Sequence, residues 1–300
     1  MPEGGGVMGL PLVRPSIVAY NGYDSGLGNR VRVVLGCKSL AEFEDRDFCY
    51  VWPTGPLFGP TFSQLWDFRG KTISRATSRV LARVYPYVDE TLSWLDDDKR
   101  RERIWQIRTG SPILLPDGAR PWEEEFRGLR PVDPIAEAVT RFFDEHLRGA
   151  PYVGVMVRAH SVSHSVTRET SPVEWFIDRM QAIRSADPDV RFFLSCDVPE
   201  VQERIISLVP GCVAQSDKGP YNSIEAVRAS IVDLYLLASS GYLVGPHFSS
   251  FIHLAEHLAG DRLSFQTPVS DEKEPDYRLH GTVNDPLQPY ARVDVPGGVS

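Results

Sequence analysis

A short apolar run, Tyr152 to Val157, rich in β-branched residues and bounded by Gly149 and Pro151, ends abruptly on Arg158. Such a run predicts a strand buried on both faces, the usual state of a parallel strand in an α/β sheet. A polar loop with His160, His164, Arg168 and Glu169 follows. Ser171 then reads as an N-cap, with Pro172 and Glu174 at the first and third helical positions. An arginine at the carboxyl edge of a parallel strand stands where open α/β sheets bind ligands, and its permanent charge suits a phosphate.

The rhythm after Pro151 is regular. Strands are expected at 152–157, 191–195, 211–214 and 241–244, and helices at 172–185, 199–208, 223–239 and 250–259. This alternation predicts a doubly wound parallel sheet. Upstream, Ser16–Tyr20, a glycine-bearing turn, a helix over 30–44 and the strand Phe48–Trp52 make a βαβ unit. Residues 60–120 carry expected helices at 75–84 and 93–104, and 131–147 reads as one long amphipathic helix. The segment after Ser270 is polar and Pro-rich and reads largely as loop.

Composition narrows the function. A net charge of −8 argues against a sequence-independent grip on nucleic acid, and no segment has the ~20 apolar residues of a membrane span. The first twenty residues carry no basic-then-apolar leader pattern, so the expected location is the cytoplasm. Cys37, Cys49, Cys196 and Cys212 form no C-x-x-C pair and are expected to be reduced, buried thiols. The Arg, Val, Pro and Asp content suggests a GC-rich bacterial source.

Four segments could carry chemistry. Gly26-Leu27-Gly28-Asn29-Arg30 could face an anion with its helix start, or be a tight βα turn. Arg158 reads as a phosphate clamp in preference to a surface salt bridge, and His160, His164 and Glu169 could titrate near a reacting hydroxyl. Asp197 either accepts hydrogen bonds from a base or ribose edge or caps the helix that follows. His247, Phe248, Ser249 and Ser250 offer amides and hydroxyls at a helix start, where a serine could equally be a cap. A zinc reading of His253, Glu256 and His257 lacks a third ligand, and Asp45-Arg46-Asp47 reads as a charged turn. The expectation is therefore no metal and no cofactor.

The segments SGLGNRVRVVLGCKSLAEFEDRDFCYVW, GVMVRAH, RFFLSCDVPEV and VDLYLLASSGYLVGPHFSSFIHLAEHLAG, in this order, resemble motifs of the fucosyltransferase superfamily. That superfamily includes α-1,6-fucosyltransferases, the rhizobial nodulation fucosyltransferase and protein O-fucosyltransferases. The resemblance implies an α/β fold of GT-B type, with two Rossmann-like domains facing a cleft. Residues 1–148 would be the acceptor-side domain, 149–270 the nucleotide-sugar-binding domain and 271–300 a tail. It implies inverting, metal-independent transfer from a GDP-sugar, usually GDP-fucose, to a hydroxyl of a glycan or secondary-metabolite acceptor. By position, Arg158 matches the arginine on the donor diphosphate, Asp197 an aspartate near guanine, and Ser249 and Ser250 serines beside the phosphates. Gly26, Gly28, Asn29 and Arg30 match the glycine loop that lines the cleft, and His247 and Phe248 lead into the serine pair. Arg158 would stabilise the leaving group, with His160, Glu169 and Asp24 as candidate bases. Met156 and Ala159 depart from the motif, which commonly has histidine, then arginine or histidine, at those places. These departures keep open a different nucleotide sugar, or a nucleotide-sugar-binding protein without turnover.

Overall fold

The computed structural model describes residues 14–22, 25–161, 165–260, 263–271 and 274–293. The chain divides into two compact units, one of Met1–Ser25, Asn29–Pro53 and Arg69–Glu125, the other of Gly26–Gly28, Thr54–Phe68 and Phe126–Ser300. Each is built on its own five-stranded parallel sheet. Residues 54–68 and 126–148 lie before the boundary expected at 148, yet group with the second unit.

The first sheet holds β1 (Ser16–Tyr20), β2 (Asp47–Val51), β3 (Lys71–Thr72), β4 (Tyr87–Val88) and β5 (Ile104–Arg108), in the order β3-β2-β1-β5-β4. Its helices are α1 (Leu27–Phe43), α2 (Arg75–Leu81) and α3 (Asp97–Arg101), and α4 (Trp122–Arg127) straddles the end of the unit's last segment. Every residue of β1 is buried, as befits a central parallel strand.

β5 corrects the expected helix over 93–104. Only α3 is helical there, and the chain then enters the sheet beside β1. The polar Gln106 hid this strand, because a glutamine amid apolar residues reads as one side of an amphipathic helix. Gln106 is fully buried, and its amide is satisfied: Nε2 donates to the Tyr85 carbonyl at 2.8 Å, and Oε1 accepts from Ser78 Oγ at 2.8 Å. A buried amide with both ends paired is tolerable inside a sheet.

The second sheet holds β6 (Val153–Val157), β7 (Phe192–Cys196), β8 (Cys212–Ala214), β9 (Tyr242–Val244) and β10 (Ser264–Gln266), in the order β10-β9-β6-β7-β8. Helices α5 (Asp133–Phe142, continued by a π turn over Phe143–Leu147), α6 (Ser165–Thr170), α7 (Val173–Ala186), α8 (Pro199–Leu208), α9 (Ile224–Ala238) and α10 (Ser250–Leu258) belong to this unit. From β6 the chain winds one way through β7 and β8, then returns to β9 and β10 on the other side. The reversal lies between β6 and β9, which pair directly through Val153–Tyr242, Gly154–Leu243 and Val155–Val244. In open α/β sheets that reversal is where a crevice forms at the carboxyl ends of the strands.

Apolar side chains of β6, β7 and β9 pack with Phe176, Ile177, Met180 and Ile183 of α7 and Ile205 of α8. α9 is buried at every position from Ile231 to Ala238, because its sequence there is apolar on all sides except at Asp233. All four cysteines are free and buried. Burial raises the thiol pKa of each, to about 11 for Cys49 and Cys196 and about 12 for Cys212. No helix among the described residues is long and apolar enough to cross a membrane.

The polar segment after Ser270 contains more than loop. β11 (Thr282–Val283) and β12 (Arg292–Val293) form a small antiparallel pair. Tyr277 is buried and donates its hydroxyl to Asp187 at 2.5 Å. The backbone of Tyr277 lies against Gly241, where a Cβ would stand 1.8 Å from the Tyr277 carbonyl oxygen. Only glycine permits that approach. Gly241→Ala should therefore destabilise the second unit by about 1–3 kcal/mol in urea denaturation, the usual cost of forced overpacking. An unchanged midpoint would show that residues 274–293 do not hold this position in solution.

Candidate functional site

The site is assembled at the carboxyl edge of the second sheet, on the loops that leave β6, β7 and β9. Arg158 follows β6 directly, and its side chain is 30% exposed. Asp197 follows β7, with its side chain 15% exposed, and its Oδ2 lies 3.2 Å from Arg158 Nε. That oxygen accepts no hydrogen bond among the described residues, so the contact is a coulombic pairing. Oδ1 accepts two backbone N–H groups, from Ala159 at 2.7 Å and His160 at 3.1 Å. One carboxylate thus fixes the course of the β6 loop and the near end of the arginine. Among the described residues Arg158 meets nothing else, which leaves its terminal nitrogens available.

Of the two readings of Asp197, the structure corrects the helix cap. This aspartate is not the cap of α8, whose N-cap residue is Val198, and it binds backbone from the neighbouring strand end. Its charge and geometry hold Arg158 and the loop together.

The third strand end is the segment from Gly245 to Ser250. His247 N–H donates to Ser171 Oγ at 2.9 Å, and Thr167 Oγ1 donates to the Phe248 carbonyl at 3.1 Å. Thr167 and Ser171 are both buried. These two bonds tie the β9 loop to the segment after β6. Ser171 was expected to cap α7, yet Pro172 is the N-cap residue and the serine hydroxyl faces His247 instead. Phe248 has φ +63 and its side chain is 61% exposed, a left-handed turn that costs a non-glycine residue about 1 kcal/mol.

Ser249 stands at the N-cap of α10 with extended backbone and makes no side-chain cap bond. Its hydroxyl, and that of Ser250, have no hydrogen-bond partner among the described residues. A helix start with unengaged N–H groups carries partial positive charge. Gly28 lies against this start: a Cβ there would stand 2.6 Å from both the carbonyl oxygen and Oγ of Ser250. The glycine at 28 is therefore required by close approach to α10. Gly26 has open space around it.

The remaining sequence candidates separate. Arg30 was expected to line the cleft. It is buried to 1% exposure, donates through Nε to Ser25 O and through Nη1 to Pro53 O, both at 2.7 Å, and sits 5.4 Å from the Trp52 ring. It clamps the loop after β1 to the end of β2. Asn29 accepts at its carbonyl from Asn21 Nδ2 at 3.2 Å, while its buried Oδ1 has no hydrogen-bond partner among the described residues. The His160 ring stacks on Tyr221, with centroids 3.9 Å apart and planes 15° from parallel. Glu169 is exposed on α6. Asp24 and His164 lie outside the described residues. His253 faces Glu256 at 3.2 Å, which holds the Glu256 carboxyl below its ordinary pKa, and no cluster among the described residues has three or more metal-ligating side chains.

Two groups beside the site were missed. Asp233 is buried on α9 and pairs with Lys218 Nζ at 2.8 Å; it also accepts from Ser195 Oγ at 2.7 Å and Gln215 Nε2 at 2.6 Å. Lys218 Nζ reaches the Cys196 carbonyl at 3.2 Å, beside Asp197. An aspartate inside the apolar stretch SIVDLYLLAS was the available signal, since a lone buried carboxylate needs a cation.

No protein-family model matches the chain, and neither does any curated protein. Solved structures do. A NodZ α-1,6-fucosyltransferase soaked with GDP-fucose is similar over 82% of this chain and 92% of its own, at 19% identity and TM-score 0.56. NodZ from Bradyrhizobium gives a TM-score of 0.55 at 18% identity, over 81% and 92% of the two chains. Arabidopsis thaliana FUT1, a point variant in complex with GDP, covers 87% of this chain and 72% of its own at 14% identity and TM-score 0.54. The chain has the GT-B-type α/β fold of the fucosyltransferases.

Asp197→Ala should cost about 1–3 kcal/mol by urea denaturation, because Ala159 and His160 N–H lose their acceptor. Asp197→Asn keeps an acceptor oxygen and should stay within about 1 kcal/mol of the parent. Equal losses in the two variants would mean that the charge, rather than the acceptor, holds the loop.

Proposed function

We propose that the protein is a glycosyltransferase that moves fucose from GDP-fucose to a hydroxyl of a glycan or secondary-metabolite acceptor, with inversion and without a metal. The observation that carries this reading is the set of unengaged donors at one sheet edge: the far nitrogens of Arg158 and the uncapped start of α10, on strands that are neighbours in register. The similarity to NodZ soaked with GDP-fucose and to FUT1 with GDP supports the choice of donor.

In glycosyl transfer the bond from C1 to the diphosphate oxygen breaks ahead of attack, so negative charge grows on the β-phosphate. Arg158, the first amides of α10 and the Ser249 and Ser250 hydroxyls would hold that charge more strongly in the transition state than in the ground state. The acceptor hydroxyl attacks C1 from the opposite face, which inverts the anomeric centre, and a base takes its proton. His160, Glu169 and Asp24 are the candidates. In this reading residues 149–270 bind the donor and residues 1–148 serve the acceptor. The buried free thiols suit the reducing cytoplasm of a bacterium.

One observation favours a donor other than GDP-fucose. Met156 is 3% exposed within β6 and brings no hydrogen-bonding group to the edge where the motif usually has histidine. A different nucleotide sugar, or binding without turnover, follows if that contact is what selects guanine.

Incubation with GDP-fucose alone should release GDP slowly by hydrolysis, and Arg158→Ala should lower that rate by about 10²–10³-fold with little change in melting temperature. Activity kept within a few-fold would remove Arg158 from the chemistry. A thermal-shift series over GDP-, UDP- and dTDP-sugars then reads the base, since a ligand stabilises according to its affinity.

A further inference from the structure

One cavity contains none of the site residues described above. It lies on the first unit, as an open groove of about 420 Å³ lined by Tyr87, Val88, Asp89, Trp94 and Arg108. Tyr87 and Val88 form β4, Asp89 follows them, and Arg108 ends β5, so the groove occupies the carboxyl edge of the first sheet.

Arg108 is the unusual member. Its guanidinium sits 5.1 Å from the centre of the Tyr20 ring and 5.4 Å from that of Tyr87, and those two rings are 5.9 Å apart. It has no hydrogen bond or ion pair with any described residue. Two aromatic faces hold a planar cation in place by cation–π attraction, so its N–H fork is oriented before any ligand arrives. The Tyr20 ring is buried and the Tyr87 hydroxyl is engaged with Ser78 Oγ at 2.9 Å, which keeps both rings from rotating away.

The other walls narrow the ligand. Trp94 is fixed edge-on against Trp105, with centroids 5.5 Å apart, and its Nε1 donates to the Asp89 carbonyl at 3.0 Å. With Tyr87 and Val88 it gives a partly apolar floor suited to the C–H face of a pyranose ring. Asp89 Oδ1 accepts from Thr91 N–H at 2.9 Å and Thr91 Oγ1 at 2.7 Å, which keeps its carboxyl ionised below the ordinary range. A fixed negative charge at the rim offers hydrogen bonds to sugar hydroxyls and opposes a dianion such as a phosphate monoester.

We infer that this groove binds a sugar that carries a carboxylate, with the carboxylate on the Arg108 fork and hydroxyls on Asp89. Planar, singly charged and bidentate, a carboxylate matches one guanidinium. That the sugar acid is part of the transfer acceptor rests on the function proposed above; its binding to the groove does not.

The test is calorimetric titration of the full chain with methyl β-glucuronide, methyl β-glucoside and glucose 6-phosphate, beside a separate GDP titration. The glucuronide should bind and the other two should bind about tenfold or more weakly, the usual worth of a charge-assisted pair. Arg108→Gln should abolish the preference, and Arg108→Lys should restore part of it, while GDP affinity stays unchanged in both. No glucuronide saturation up to about 50 mM, well beyond the weak millimolar range, would overturn the inference. So would equal binding of the glucoside or the phosphate, or full binding by Arg108→Gln. Failure of GDP alone to bind would sink the fucosyl reading and leave the groove standing.

Discussion

The carboxylate of Asp197 is the junction on which the second unit's site depends. It reaches from the end of β7 to the loop of β6, accepts both Ala159 and His160 N–H, and sits against Arg158. Without an acceptor the loop would carry two unpaired amides at a partly buried place, at a combined cost of about 1–3 kcal/mol because water reaches part of them. The ion pair itself is a small term, because Arg158 is 30% exposed and water screens it. Its effect is directional: it anchors Nε and turns the remaining nitrogens outward. A second carboxylate, Asp233, does comparable work one layer deeper by holding Lys218 against the Cys196 carbonyl. Both acids fix cations near the same strand end, and the deeper pair is structural because its acid is 3% exposed.

The parallel strands of the second unit were readable because burial on both faces leaves a plain signature. Tyr152 to Val157, RFFLS and GYLV are each short apolar runs followed by polar or glycine residues, and each begins or ends within a residue or two of the observed strand. The helix over 199–208 coincides with α8, since Pro199 marks its start. β5 escaped detection for the opposite reason: Gln106 interrupts its apolar run and is satisfied by Tyr85 and Ser78, residues that sequence spacing does not link to it. β10 escaped because Phe265 is the one apolar residue among the three that pair.

Side-chain roles were less legible than positions. Arg158, Asp197 and the serine pair stand at strand ends, as a reading of the βα rhythm places them. What a sequence does not carry is which donors are already engaged. Arg30 looks as available as Arg158 in the glycine loop, yet it is buried against two carbonyls and a tryptophan. Ser171 has the residue type and spacing of a cap, and its hydroxyl serves His247 instead. In both cases the deciding partner lies far along the chain or in a loop without periodicity.

The start of α10 shows how such availability arises. Serine is among the best N-cap residues, and a cap bond there is worth about 1 kcal/mol. Ser249 occupies the N-cap position with extended backbone, and its hydroxyl makes no cap bond. The left-handed turn at Phe248, fixed through Thr167, aims the chain into the helix, while Gly28 removes the side chain that would otherwise cover Ser250. Local stability is therefore forgone at two consecutive residues of one loop, Phe248 and Ser249. Local stability alone would favour a capped helix entered through a relaxed turn. A ligand that accepts hydrogen bonds accounts for the uncapped start, because it would complete the first turn of α10 and neutralise its partial charge.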